Sequence, residues 1–163
     1  MIFGAIAHGH KWPLVLLTLL ESQRTREKKK IDRFVYVEKV LEDCLAGYCS
    51  EMRREGILDV VVVEDGAPIH NNGLAAQARE ELHINQINNP PSSPNLNAIE
   101  PLWGILKYRL GKLQPVASTV TILWEQIQEV WEGIEQYYVD REVEKMAQKS
   151  AVIKQVEGLH TGY

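Results

Sequence analysis

Two carboxylates in this chain have the placement that metal chemistry asks for. Asp65 ends an unbroken apolar run, Val60-Val61-Val62-Val63, after one intervening acid, Glu64. Glu100 follows a Pro- and Ser-rich stretch and opens an amphipathic segment, with 34 residues between the two acids. Mg2+ prefers hard oxygen ligands in octahedral geometry and keeps several waters. Two such ions about 4 Å apart can activate an attacking water and stabilise a leaving oxygen in phosphodiester cleavage. An Asp at a strand end and a Glu at a helix start can converge on ions of this kind. His70 could contact a phosphate or a metal, and Lys107, about two turns beyond Glu100, could meet a phosphate.

Each of these residues also has an ordinary structural reading. An Asp at a strand exit often accepts backbone hydrogen bonds in a turn. Asn97-x-x-Glu100 fits a capping box, with Asn97 as N-cap and Glu100 reaching back to its amide. His70 could simply pack at a helix start, and a surface lysine is the default for Lys107. Trp103 and the pair Trp124 and Trp131 read as core. No other acid stands in for a third ligand. Glu64 points to the opposite strand face from Asp65 by alternation. Asp59 lies six residues back, ~20 Å away at strand rise, and Asp32 and Asp43 fall on a helix.

The elements that must position these groups can be read in order. Met1 to Ala7 and Trp12 to Leu19 read as strands joined at His8-Gly9-His10, a β-hairpin. Glu21 to Lys30 is a basic, solvated loop. Ile31 to Arg54 carries Phe34, Val37, Leu41, Cys44, Leu45, Tyr48 and Met52 at helical spacing, with Gly56 as its stop. Leu58 to Glu64 is a strand, and its continuous apolar run predicts burial on both faces, as in a parallel sheet. Ligands in such sheets gather at the carboxyl ends of strands. A helix from about Asn71 to Leu82, a short strand Ile84 to Ile87 and a loop Asn88 to Asn97 follow. Helices are expected from Ala98 to about Leu113, over a stripe from Val120 to Ile134, and from Val139 to Lys149. The tail Ser150 to Tyr163 has little periodicity.

Composition bounds the rest. The chain has 163 residues, 45% apolar and 25% charged, with net charge -4. That is enough for one domain with a real core. A self-sufficient DNA-binding protein is more often basic. Cys44 and Cys49 lack metal spacing and read as buried free thiols. No apolar run approaches the ~20 residues that span a bilayer, so no membrane partner is expected.

Glu64-Asp65-Gly66-Ala67-Pro68-x-His70, followed by Pro90-Pro91-x-Ser93-Pro94-x-Leu96-Asn97-x-Ile99-Glu100-x-Leu102-Trp103, resembles the DDE endonuclease domain of mariner-type transposases. The resemblance covers nearly the whole chain. It implies an RNase H-like fold and metal-dependent cutting and joining of DNA by three acids and two ions, Mg2+ or Mn2+. Asp65 and Glu100 match the second and third acids, as catalytic residues and metal ligands, and their spacing is typical. His70 belongs to the matched motif, and with Lys107 is a candidate nucleic-acid contact. Gly66 stands where many members have Asn, and Asn95 and Ala98 replace the usual Asp and Pro. The family's first Asp has no counterpart, since its strand lies upstream of where this chain begins.

The expected fold is therefore α/β: an RNase H-like mixed sheet flanked by helices, lacking the first, central strand, with extra C-terminal helices. Residues 1–113 would form the truncated endonuclease core, 114–149 further helices of the same domain, and 150–163 a tail. Without its central strand, such a chain would be a poorly stable monomer with exposed strand edges. The expected function is a transposase-derived DDE endonuclease domain, inactive as this chain for lack of the first Asp. The alternatives are a non-catalytic nucleic-acid- or protein-binding remnant, or a fragment of a longer active transposase. The resemblance implies DNA as partner and the nucleus as location. A homo-oligomer is compatible with it, and a small-molecule substrate is not expected.

Overall fold

The computed structural model describes residues 1–18, 33–65, 67–88 and 96–155. The basic loop Glu21 to Lys30, Gly66, the loop as far as Asn95 and the end of the tail lie outside them. The elements are β1 (Ile2–Phe3), β2 (Ile6–Ala7), β3 (His10–Lys11), β4 (Val15–Leu16), α1 (Arg33–Tyr36), a π-helix (Val37–Leu45), α2 (Ala46–Arg54), β5 (Val61–Glu64), α3 (Gly73–Glu81), β6 (Asn85–Asn88), α4 (Glu100–Leu110), α5 (Val120–Glu132) and α6 (Gln136–Gln155). They fall into two compact units, one of Met1–Phe3 and Leu16–Ser93, the other of Gly4–Val15 and Pro94–Tyr163.

In the first unit, α1, the π-helix and α2 run on without a break from Arg33, as the helical spacing predicts. Their middle is wound more loosely, with Ala46 N donating to Leu41 O, five residues back. This i→i+5 winding moves the inward face off the 3.6-residue rhythm. Val35 and Tyr36 are buried, while Phe34, expected on the inner stripe, is 53% exposed. The helix stops at Gly56, whose φ of +97° suits a residue without Cβ. Gly56 N donates to Arg53 O and Ile57 N to Met52 O, both at 3.1 Å, satisfying carbonyls the helix end leaves open. Cys44 and Cys49 are buried free thiols, as expected.

β5 pairs in parallel with β6, Val61 against Asn85 through Glu64 against Asn88. The expectation of burial on both faces is corrected here. Val60 is buried, but Val61 and Val63 are 41% and 36% exposed. The π-helix and α3 pack together on one side, and among the described residues nothing encloses the face that carries Val61 and Val63. That one-sided burial restores ordinary alternation, so Glu64 turns inward and is buried.

A buried carboxylate needs partners, and Glu64 has them. Tyr36 Oη donates to Glu64 Oε1 at 2.6 Å. Arg79 Nη2 and Gln86 Nε2 donate to Glu64 Oε2 at 2.8 and 3.0 Å. Arg79 Nη2 also reaches Tyr36 Oη at 3.0 Å and the His70 carbonyl at 2.9 Å. Burial first, and then the charge of Glu64, push the Tyr36 hydroxyl far above its ordinary value of 10.0.

The expected hairpin forms, with its turn in the second unit. β2 and β3 pair antiparallel, Ile6 with Lys11 and Ala7 with His10, about a turn at Gly9 with φ +78°. His10, expected in the turn, lies in the strand. The ladder is interrupted beyond Trp12 N to Ala5 O at 3.2 Å, because Pro13 has no N–H to continue it, and resumes where β1 pairs with β4 and Leu17 N donates to Met1 O at 2.8 Å. α4 packs on α5. Trp131 is fully buried, stacks on Trp103 at 5.4 Å between centroids, and donates from Nε1 to Trp12 O at 2.9 Å. Lys11 Nζ donates to Trp131 O and Glu132 O at 2.7 and 3.0 Å and also to Ile134 O. It thereby caps the carbonyl end of α5. The expected stripe on α5 is buried only from Ile127 onward, since Trp103 and Trp12 meet the helix at Trp131. Val120 and Leu123 are 76% and 42% exposed. α6 starts earlier and runs longer than the expected Val139 to Lys149, ending at Gln155. No helix among the described residues is long and apolar enough to cross a membrane.

Two outcomes follow for stability. A folded state that favours the neutral Tyr36 hydroxyl keeps that contribution below the unfolded value of 10.0 and loses it as pH rises further. Urea unfolding between about pH 8 and 11 should therefore show a steeper alkaline loss for the wild-type chain than for Tyr36→Phe; equal slopes would contradict the buried hydroxyl. In the second unit, a Cβ on Gly4 would come within 2.9 Å of both Leu14 Cδ2 and Trp103 Cη2. Gly4→Ala should cost about 1–3 kcal/mol by overpacking, read as a lowered thermal midpoint, and an unchanged midpoint would show that Leu14 and Trp103 yield freely.

Candidate functional site

Asp65 stands just past β5, with Glu64 locked into the core behind it. Strand alternation then turns Asp65 outward, and its side chain is 62% exposed. The turn that follows is tied to Asp65 and to itself. Ala67 N donates to Asp65 Oδ1 at 3.2 Å, the turn bond expected of an Asp at a strand exit. His70 N and Asn71 N donate to Ala67 O at 2.9 and 3.2 Å. Asn72 caps α3, accepting from Ala75 N at 3.1 Å and donating from Nδ2 to Ile69 O at 2.8 Å.

His70 sits between Asp65 and the buried cluster. Its Nδ1 lies 2.8 Å from Asp65 Oδ1, an ion-pair distance. The approach is off the ring N–H direction, so it is a contact rather than an aligned hydrogen bond. Its ring packs on Tyr36 at 4.8 Å with a 35° tilt, and the side chain is 19% exposed. The structure thus brings together two of the residues singled out in the sequence, Asp65 and His70. The hydrogen bond from Ala67 N and the His70 contact both fall on Asp65 Oδ1, leaving Oδ2 without a described partner.

Glu100 and Lys107 belong to the second unit, on α4. The capping box expected at Asn97 does not form. Asn97 Oδ1 accepts from Ile99 N at 3.3 Å, and Ile99, not Asn97, precedes the helix. A two-residue Asx turn has taken the side chain that would have capped the N3 amide. Glu100 is the first helical residue and exposed; its N–H donates to Asn97 O at 3.3 Å, and its carboxylate has no hydrogen bond or ion pair among the described residues. An anion there is favoured by the helix dipole. Pro101 falls in the first turn, where its missing N–H costs little. Lys107 is exposed on the same helix. Trp131 is a core residue with Trp103 stacked on it, and Trp124 is half-buried.

Sequence reasoning overlooked Tyr36, Glu64 and Arg79 as a unit. A signal was present: an acid at an inward strand position demands a donor, and Arg79 is the lone cation among the inward residues Ala75 and Ala78 of α3.

Comparison with known proteins supplies the family. The family model of the DDE superfamily endonuclease matches residues 17–123. The transposase of transposable element Tc3 from Caenorhabditis elegans is 30% identical over 145 residues, covering 84% of this chain and 43% of the relative. The Tc1 transposase of the same species is 26% identical over 133 residues, covering 82% and 46%. The chain spans a little under half the length of these curated relatives. Among solved structures, the Mos1 transposase catalytic domain with raltegravir and Mn is similar with a TM-score of 0.69 at 14% identity, over 98% of this chain and 83% of that one. The Mos1 mariner paired end complex with Mn is similar with a TM-score of 0.62 at 15% identity, over 81% and 38%. The mixed helix-and-strand architecture is thus the RNase H-like one of the Mos1 catalytic domain. With the family model matching well over half of its residues, this chain belongs to the DDE superfamily of endonucleases, as a transposase domain of the Tc1/mariner type.

Proposed function

We propose that Asp65 and Glu100 are metal-holding acids of a DNA-cleaving and DNA-joining site that takes Mg2+ or Mn2+. The observation that carries this is the state of the two carboxylates. Each is exposed at the end of a regular element, Asp65 past β5 and Glu100 at the first turn of α4. Neither is neutralised by a lysine or arginine among the described residues. Hard carboxylate oxygens of this kind fit Mg2+ and Mn2+. The Mos1 structures, with Mg and with Mn, lend the same support by analogy.

When bound, the ions would activate the attacking oxygen and stabilise the leaving one. The chain's own residues orient the ligands. Ala67 N and His70 hold Asp65 Oδ1 and leave Oδ2 without a described partner. The first turn of α4 fixes Glu100. Lys107, an exposed cation on the same helix, is suited to a DNA phosphate. The paired end complex of Mos1 supports DNA as the partner, and a homo-oligomer and a nuclear location are part of the same proposal. Two-metal sites ordinarily add a bridging carboxylate, and the matched motifs supply only Asp65 and Glu100. Metal binding is therefore a cleaner readout than cleavage.

Mn2+ titration followed by electron paramagnetic resonance should show binding that Mg2+ displaces. Asp65→Asn and Glu100→Gln should each weaken it about ten-fold or more, at least the loss typical of a supporting residue. Unchanged Mn2+ binding in either variant would exclude that residue as a ligand.

A further inference from the structure

The turn that carries Asp65 is anchored at both ends to one buried cluster. At its start, Glu64 adjoins Asp65 and accepts from Tyr36, Arg79 and Gln86. At its end, the His70 carbonyl accepts from Arg79, and the His70 ring packs on Tyr36. Arg79 is 6% exposed, and its Nη2 alone serves Glu64, Tyr36 and His70 at 2.8, 3.0 and 2.9 Å. Its Nε has no partner among the described residues. The guanidinium is thus held by one corner, aimed at the point where strand end and turn end meet.

A buried pair needed only for stability is weakly justified, since well-packed apolar residues of similar volume often serve as well. What the apolar replacement could not do is grip both flanks of Asp65. Fixing Glu64 inward sets the direction in which Asp65 leaves the strand. Fixing the His70 backbone and ring sets the group that contacts Asp65 Oδ1.

We propose that Tyr36 and Arg79 are positioning residues for Asp65, acting through Glu64 and His70 to present its free carboxylate oxygen to a divalent cation. This rests on the reading of Asp65 as a metal ligand. The arrangement has the form of an outer layer that orients a ligand, a layer whose loss typically costs 10–100-fold in metal affinity.

The test is a cycle on the full chain, with Mn2+ affinity by electron paramagnetic resonance and stability by urea unfolding measured on every variant. Tyr36→Phe keeps the ring and removes only the hydroxyl. Arg79→Lys keeps the charge and removes the fork. Each should weaken Mn2+ binding about ten-fold in the wild-type background. In the Asp65→Asn background neither should weaken the residual binding further, while each destabilises the chain to the same extent in both backgrounds. A merely structural cluster would lose stability in both backgrounds and leave Mn2+ affinity unchanged, or reduce it by the same factor whether Asp65 is present or not. Either result overturns the inference. Should Arg79→Lys fail to fold, Tyr36→Phe decides alone. Failure of the underlying reading looks different: Asp65→Asn itself would bind Mn2+ as the wild type does, and both proposals would fall.

Discussion

The ion pair between Glu64 and Arg79 is the interaction on which the first unit depends. Both side chains are 7% exposed, and their atoms meet at 2.8 Å. Taking two charges out of water is costly, and the cost is met only when geometry and further hydrogen bonds are good. Tyr36 and Gln86 supply those bonds here. The pair therefore joins four elements: α1 through Tyr36, β5 through Glu64, α3 through Arg79 and β6 through Gln86. Removing one charge would strand the other, a loss on the order of 3–5 kcal/mol. Such a constraint makes the direction of Glu64, and hence of Asp65, close to non-negotiable.

The second unit solves a different problem. Its hairpin ladder is interrupted at Pro13. Side chains reinforce the pairing there. Trp131 reaches the Trp12 carbonyl, Lys11 gathers the last carbonyls of α5, and Gly9 N donates to Asp140 Oδ1 at 2.7 Å. Burial lowers the Lys11 ammonium from its ordinary value, offset in part by the charge of Glu132. Arg109 of α4 adds a bond to Gly133 O at 2.6 Å, tying the helix that begins at Glu100 to the end of α5. Glu100 thus starts a helix fixed by packing, although its expected cap is absent.

Much of this was legible in the residues, and the failures have identifiable causes. Alternation correctly separated Glu64 from Asp65, and Gly56 correctly ended its helix, because both depend on local backbone geometry alone. Both motif acids proved exposed at element ends. The apolar run Val60 to Val63 misled because composition cannot tell whether a second face is covered. The capping box at Asn97 failed because the same side chain can bond two residues on instead of three. The π winding moved Phe34 off the inner face, and no rhythm of apolar residues announces such a change. Least visible was the partnership of Glu64 with Tyr36 and Arg79, 28 and 15 residues away. Only the fold brings those residues together, although an inward acid was reason to look for a cation.

The central proposal is that Asp65 and Glu100 are ligands of bound divalent cations. Its most direct test replaces Mg2+ with Fe2+ and adds ascorbate and peroxide, so that radicals cut the backbone beside the metal. Cuts should fall near Asp65 and near Glu100 and should fade as Mg2+ is added, and those near Asp65 should vanish in Asp65→Asn. Cuts confined to other segments, or cuts at these two places that excess Mg2+ does not suppress, would contradict the claim.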